Sequence, residues 1–213
     1  MEGADQAMNI SIFGATGRVG NRLLPMLLSS GYSVRALARS PEKLKSHPSL
    51  QVIEGNVLTD KDVQTTISGT DIVISTLGTD KQNTLQRAFP LIIDAMIQEN
   101  VQRILSTGTA GILNARRDPA IFRFETNESK RRSTTAARDH AEACKLLQQS
   151  PLNWTIACPT YLPEGEASGI FRTGADFLPE DGKSITTGDT ALFLYRLVSG
   201  EESFHRRRAG LAY

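Results

Sequence analysis

Several protein classes are excluded by what this chain has little of. Cysteine is nearly absent: Cys144 and Cys158 are the only two in 213 residues, and they have no metal-ligand spacing. A disulfide scaffold is therefore ruled out, and a reduced, cytoplasmic setting is expected. No apolar run approaches the roughly 18 residues of a membrane span, and the first residues carry no signal-peptide pattern. There is no excess of either charge: 24 basic against 23 acidic side chains leave +1. A nucleic-acid module normally shows a strong basic surplus, so no nucleic-acid partner is expected, and no membrane partner either. Aromatic residues make up only 6%, and no tyrosine stands between Tyr32 and Tyr161. That last gap matters for the chemistry considered below. There is no internal repeat.

What is present is a regular alternation. Residues 1–7 are small and polar and read as a frayed leader. After them, strand-like runs occupy 9–13, 32–37, 50–54, 71–76, 101–107 and 154–158, with a short one expected at 184–186. Helical patterns lie between them. One begins at Arg18 and closes at Gly31, with Pro25 as an internal kink. One is started by Ser40-Pro41-Glu42, with Ser40 as cap, and one covers 60–68 with Asp60 as cap. Three more cover 84–100, 134–149 and 190–198; the first of these has its apolar stripe at Leu85, Phe89, Ile92, Ile93, Met96 and Ile97. Strands alternating with helices predict an α/β fold: a single Rossmann-type domain over 8–213, with a doubly wound parallel sheet flanked by helices. Right-handed crossovers place the C-terminal strand ends on one rim, where ligands of such sheets bind.

The first strand–helix junction reads Gly14-Ala15-Thr16-Gly17-Arg18-Val19-Gly20. Glycines at this spacing let the chain turn sharply, let backbone approach a pyrophosphate, and let the helix pack on the sheet. The helix start adds free N–H groups and partial positive charge. In this context the triad predicts a dinucleotide site. An NAD site commonly has an acidic residue about 20 positions on. Here that stretch holds Arg39, with Arg35 nearby and no Asp or Glu. A guanidinium pairs well with a 2′-phosphate. The expected cofactor is NADP(H), with NAD(H) as the alternative, and Arg35 and Arg18 are candidates to assist Arg39.

GATGRVG after the first strand, VRALARSPEKL over the second, EGNVLTDKDV over the third, DIVISTLGT over the fourth and LNWTIACPTYL over the sixth resemble the NAD(P)H-binding, NmrA-like branch of the atypical short-chain dehydrogenases/reductases. Within it the chain is most similar to the biliverdin reductase B/flavin reductase group, whose bacterial members the closing AGLAY also resembles. The resemblance implies phosphate contacts from Gly14, Ala15, Thr16, Gly17, Arg18 and Val19, and a 2′-phosphate contact from Arg39. It implies that Asn56 and Val57 flank the adenine, with Asn56 standing where the family carries Asp. It implies further that Thr76, Leu77 and Gly78 line the middle of the dinucleotide. Thr107 to Ala110 and Pro159, Thr160 and Tyr161 would border the nicotinamide.

The usual short-chain dehydrogenase has a Tyr followed four residues later by a Lys that lowers the phenol's pKa, so that the pair can protonate a carbonyl oxygen. By the family's spacing these should stand at 136 and 140; this chain has Ala136 and His140. His140 is also what the biliverdin/flavin reductases carry there. It reads either as a proton donor or ribose contact, or as a structural helix histidine, with Asp139 as one candidate partner. Thr109 falls where the family carries a hydroxyl near the nicotinamide. A flavin, quinone or linear tetrapyrrole takes hydride into a delocalised system and draws its proton from water, so it tolerates the loss of Tyr and Lys. The leading expectation is thus an NADPH-dependent reductase of a conjugated, small-molecule acceptor. The alternatives are a non-catalytic NADP(H)-sensing regulator or scaffold of NmrA-like type and, less favoured, a nucleotide-sugar epimerase.

Two irregular stretches, about 111–133 and 162–182, read as substrate loops. In the first, Ile121, Phe122 and Phe124 are candidates to cover an aromatic acceptor. Arg116, Arg117, Arg123, Lys130, Arg131 and Arg132 are candidates to attract an anionic one. Arg206-Arg207-Arg208 reads as a solvated turn before a final edge strand, Trp154 and Cys158 as core, and Cys144 as a surface thiol. The expected assembly is a monomer or homodimer.

Overall fold

A computed structural model describes residues 8–80, 82–129 and 133–213. The expected leader, Lys130, Arg131 and Arg132 lie outside the described residues. Eight strands form one sheet: β1 (Asn9–Phe13), β2 (Ser33–Ala38), β3 (Leu50–Glu54), β4 (Ile72–Ser75), β5 (Arg103–Thr107), β6 (Asn153–Pro159), β7 (Arg172–Ala175) and β8 (Arg207–Ala212). Five helices cover it: α1 (Gly20–Ser29), α2 (Asp60–Ile67), α3 (Thr84–Gln98), α4 (Thr135–Gln149) and α5 (Thr187–Ser199). The strand order is β3-β2-β1-β4-β5-β6-β8-β7, parallel except for the β7–β8 pair. The chain is a single-domain Rossmann-like α/β fold. Its order reverses between β1 and β4, and that switch point opens a crevice at the C-terminal rim.

The central strands are apolar on both sides because helices lie on both faces. On one face α2, α3 and α4 cover a core containing Phe13, Phe89, Ile92, Met96, Ile104 and Trp154. On the other, α1 and α5 cover Ile10, Ile12, Leu23, Leu27, Phe193 and Leu211. The stripe on α3 is buried as its period requires, except Ile97, which is 46% exposed while Ala88 and Ala95 are buried instead. Pro25 and Pro90 sit inside α1 and α3.

The departures from the sequence expectation have local causes. Helix α1 begins at Gly20, two residues after Arg18, because 16–19 are used in the turn. Ser40 caps nothing with its side chain; Pro41–Lys43 make one 3-10 turn, and the chain then extends at Leu44. Asp60 is the first residue of α2, and Thr59 occupies the cap position. Helix α5 starts at Thr187, where the Thr186 hydroxyl accepts from the Asp189 N–H. The short strand expected at 184–186 is only an isolated bridge between Tyr161 and Ser184. The final strand, β8, is internal, and the edge is β7, inside the stretch expected to be irregular.

The arginine triplet is a solvated turn only in part: Arg206 and Arg207 are exposed, but Arg207 and Arg208 open β8. Arg206 donates to the carbonyls of Ser150, Leu152 and Gln148. Arg208 is buried: its guanidinium bonds Asp176, the Ile112 carbonyl and Asn114, and lies over the Phe122 ring. Phe122 stacks with Phe124 and both pack against the core, so these rings are directed inward and do not cover the rim. Cys144 is buried, not a surface thiol; burial pushes its pKa up to about 11, and burial raises Cys158 as well. Neither sulfur is a thiolate near neutral pH, and so neither is a nucleophile there.

Candidate functional site

The turn after β1 is built by close approach. Gly14 has φ +86°, and a Cβ on it would meet the backbone of Thr76 and Leu77 at 2.8–2.9 Å. Thr76 directly follows β4, and its hydroxyl donates to the Gly14 carbonyl at 2.9 Å. A Cβ on Gly20 would meet the Gly14 carbonyl oxygen at 2.2 Å, so the first residue of α1 rests directly on the turn. Gly17 donates to Gly14 at 2.9 Å, and Asn21 to Gly17 at 2.9 Å. Among the described residues, the N–H groups of Thr16, Arg18 and Val19 have no acceptor. Unpaired donors at a helix start, in a crevice at the switch point, suit a pyrophosphate. The turn thus fits the cofactor predicted from its glycines.

The other candidate residues follow the same rim. Arg39 comes directly after β2 and is exposed; among the described residues it makes no hydrogen bond or ion pair. Its charge is one cause, behind hydrogen bonds from the Thr84 hydroxyl and the Gln82 N–H, of Asp80 lying below the usual carboxylate range. Arg35 points elsewhere. It donates to Gln51 and to the carbonyls of Thr65, Thr66 and Ser68, closing the C-terminus of α2, so it is not available to assist Arg39. Arg18 is also engaged: Nε donates to Glu164 Oε1 and Nη2 to the Leu162 carbonyl, both at 2.5 Å.

Asn56 and Val57 follow β3. Asn56 Oδ1 accepts from the Leu58 N–H at 3.0 Å and its own N–H donates to Asp62, an arrangement that orders this turn. Leu77 packs on the core, and Gly78 is exposed with open space around it. Thr107 ends β5 and donates to the Ser75 carbonyl at 3.2 Å. Thr109 is buried and its hydroxyl faces the Gly111 N–H at 3.5 Å. Pro159 ends β6, and the buried hydroxyl of the next residue, Thr160, has no partner among the described residues.

His140 is half-buried in the second turn of α4 and has a partner within the protein. Asp139 beside it reaches away, accepting the N–H groups of Leu85 and Gln86 at the start of α3. The first turn of α4 abuts the segment after β5: a Cβ on Gly111 would stand 3.2 Å from Ala137 Cβ. Beside this junction, a cavity of about 620 Å³ is lined by Ala110, Gly111, Thr160, Tyr161, Leu178 and Lys183, with Arg123 and Glu128 at one side. Its size is that of ordinary small-molecule sites. Arg123 is paired with Glu128 at 3.6 Å, and Arg116 with Glu180 at 3.7 Å, so two of the arginines expected to draw an anion are already balanced.

One feature escaped sequence reasoning. The segment after β6 crosses to the start of α1, where Glu164 pairs with Arg18 of the preceding turn and Glu166 with Arg22 of the helix. The partners are 144 or more positions apart, and no local pattern announces such a contact.

A switch-point crevice, a glycine-built turn on a helix start and an arginine at the end of β2 define a Rossmann-type dinucleotide-binding protein. Over residues 14–201 the chain matches the NAD(P)H-binding family, and it belongs to that family. It is 26% identical over 176 residues to the uncharacterised protein YwnB of Bacillus subtilis, covering 79% of this chain and 80% of YwnB. Its fold is similar to a short-chain dehydrogenase/reductase of Veillonella parvula crystallised with NADP, with TM-score 0.78 and 17% identity over 98% of this chain and 95% of that one. It is also similar to ChuY, an anaerobilin reductase of Escherichia coli O157:H7, with TM-score 0.77 and 21% identity over 96% and 97% of the two chains. At these identities the two structural likenesses concern the fold.

Proposed function

We propose that this protein is an NADPH-dependent reductase that delivers hydride to a conjugated acceptor in the cavity beside α4. The observation that carries this reading lies in the first two turns of α4: Ala136 and His140 occupy the positions where, by the family resemblance, carbonyl-reducing relatives place Tyr and Lys. Without a phenol of lowered pKa, an alkoxide forming from a ketone has no matched acid. A flavin, quinone or linear tetrapyrrole needs none, because its π-system spreads the incoming charge.

The residues divide the work as follows. Thr16, Arg18 and Val19 offer backbone N–H groups to the pyrophosphate, Gly17 lets the backbone come close to it, and Arg39 takes the 2′-phosphate in a paired hydrogen bond. Asn56 and Val57 border the adenine, and Thr76, Leu77 and Gly78 the middle of the dinucleotide. Thr107, Thr109, Pro159 and Thr160 flank the nicotinamide, with His140 at the ribose. NADPH, when bound, supplies the hydride. The chain's own contribution is to hold the acceptor's face over the transfer site and exclude water, so catalysis is largely positioning.

The test is NADPH oxidation, followed at 340 nm, with FMN, riboflavin, quinones and biliverdin alongside simple ketones. Turnover with a conjugated acceptor and none with ketones supports the reading. NADP⁺ and NADPH binding equally well with no acceptor reduced would overturn it in favour of a cofactor-sensing protein.

A further inference from the structure

The segment carrying Glu164 and Glu166 is pinned along its length. Thr187 and Gly188, at the start of α5, donate their N–H groups to the carbonyls of Pro163 and Gly165, each at 3.0 Å. Gly188 permits this contact, since a Cβ there would stand 2.4 Å from the Ala167 nitrogen. Further on, Asp189 accepts from the N–H groups of Ser168 and Gly169 at 2.9 and 2.8 Å. The backbone of this strap is therefore fixed to α5, and its two acidic side chains extend across to α1.

What they meet there is the phosphate-binding turn. Glu164 Oε1 lies 2.5 Å from Arg18 Nε, while its other oxygen accepts from the Thr187 hydroxyl at 3.2 Å. Glu166 meets Arg22 one turn further along α1. With Arg18 beside it, the Glu164 carboxyl titrates below its usual range, so it is an anion at neutral pH.

Resting on the cofactor reading above, we propose that Glu164 is an internal competitor for the cofactor's phosphate: its carboxylate holds the Arg18 guanidinium that a bound pyrophosphate would otherwise attract. Both partners are about half exposed. Exposed ion pairs are weak, so this one is readily exchanged for a ligand that carries more charge and also takes the free N–H groups of the turn. The clasp thereby sets affinity and lets Arg18 follow the cofactor on and off. Glu166, which engages an arginine outside the turn, has no such effect and serves as the control.

The experiment is calorimetric titration of NADP⁺ into the intact protein and into Glu164→Gln, Glu164→Asp and Glu166→Gln, at low and high salt. Glu164→Gln is expected to bind about three- to fivefold tighter at low salt, with the gain shrinking as salt screens the pair. Glu164→Asp and Glu166→Gln are expected to stay within twofold of the parent. In an Arg18→Met background, Glu164→Gln should change nothing. The circular-dichroism melt of each variant is recorded beside its titration. A parent that binds NADP⁺ while folded Glu164→Gln binds equally or more weakly overturns the competitor role and leaves the cofactor reading standing. The same gain in both arginine backgrounds also overturns it, by placing the effect outside the Arg18 contact. Absence of NADP⁺ binding by every folded variant overturns the cofactor reading itself, and the competitor role with it.

Discussion

At the scale of single residues, the question is which arginines are free. Of the three considered for the cofactor's phosphates, Arg35 is spent on the carbonyls that end α2, and Arg18 is shared with Glu164. Arg39 alone stands exposed at the end of β2 without a hydrogen-bond partner among the described residues. The proposed preference for NADPH therefore concentrates on one side chain. Hydrogen bonds to charged groups contribute roughly 1.5–3 kcal/mol, or about ten- to a hundredfold in affinity. Arg39→Glu is expected to weaken NADPH by at least that factor, because it adds repulsion, while NADH, which has no 2′-phosphate, changes by less than about threefold. Fluorescence titration of both nucleotides checks this. An equal loss for the two would remove Arg39 from the 2′-phosphate. Sequence distance explains what was legible here: the glycines of the turn and Arg39 are each read from their place on one strand–helix unit. The engagement of Arg35 and Arg18 depends on segments 30 and 144 or more positions away.

At the scale of elements, the parallel strands β1 and β3 were readable residue for residue, and β2, β4, β5 and β6 to within two residues. The inner strands are largely buried and so read as β-branched and aliphatic runs, while β3, at the sheet edge and only partly buried, is marked by its short run between turn residues. β7 was not. Its four residues, Arg-Thr-Gly-Ala, are mostly exposed and carry no alternation, and their pairing is imposed by β8. The register of β8 itself was obscured by Arg207 and Arg208, whose place in a strand makes sense only once Asp176 pairs with both, the first remaining exposed and the second buried. A similar long-range contact holds α3. Its N-cap residue, Asn83, sits in the left-handed region at φ 55° and makes no side-chain cap. Asp139 of α4 accepts the N–H groups of Leu85 and Gln86 at 3.3 and 3.0 Å in its place. A lost cap costs about 0.5–2 kcal/mol, the upper part of the range applying to a buried one. Asp139→Ala should lower the melting temperature by about 2–6 °C, given roughly 2–4 °C per kcal/mol at this chain length. NADP⁺ affinity should remain within twofold, as measured by thermal melts and titration on the same sample. An unchanged melting temperature would mean that the α3 donors find other partners.

At the scale of the whole molecule, Asp189 ties together regions that are far apart in sequence. It is fully buried, and it receives the Ser168 hydroxyl, the Tyr213 hydroxyl at 2.6 Å and the N–H groups of the strap. Burial alone would raise its pKa. The hydrogen bonds from Tyr213, Gly169, Ser168 and Thr186 together outweigh burial and hold the carboxyl below its ordinary value of 3.8. A carboxyl whose pKa is lower in the folded than in the unfolded state stabilises the fold fully above the unfolded value. That contribution disappears as pH falls through the folded one. Removing the charge should therefore matter at neutral pH and cease to matter in acid. Asp189→Asn keeps the shape but weakens several charge-assisted bonds, each contributing about 1.5–3 kcal/mol. At pH 7 it should melt at least about 4 °C below the parent, on the scale of roughly 2–4 °C per kcal/mol. Between about pH 5 and pH 3 that gap should narrow, because protonation deprives the parent of the same charge. Other carboxylates titrate in this range too, Asp80 and Glu164 among them, but they are common to both proteins and cancel in the difference. A gap that stays constant down to pH 3 would show that the ionised form of Asp189 is not what joins the strap, α5 and the last strand.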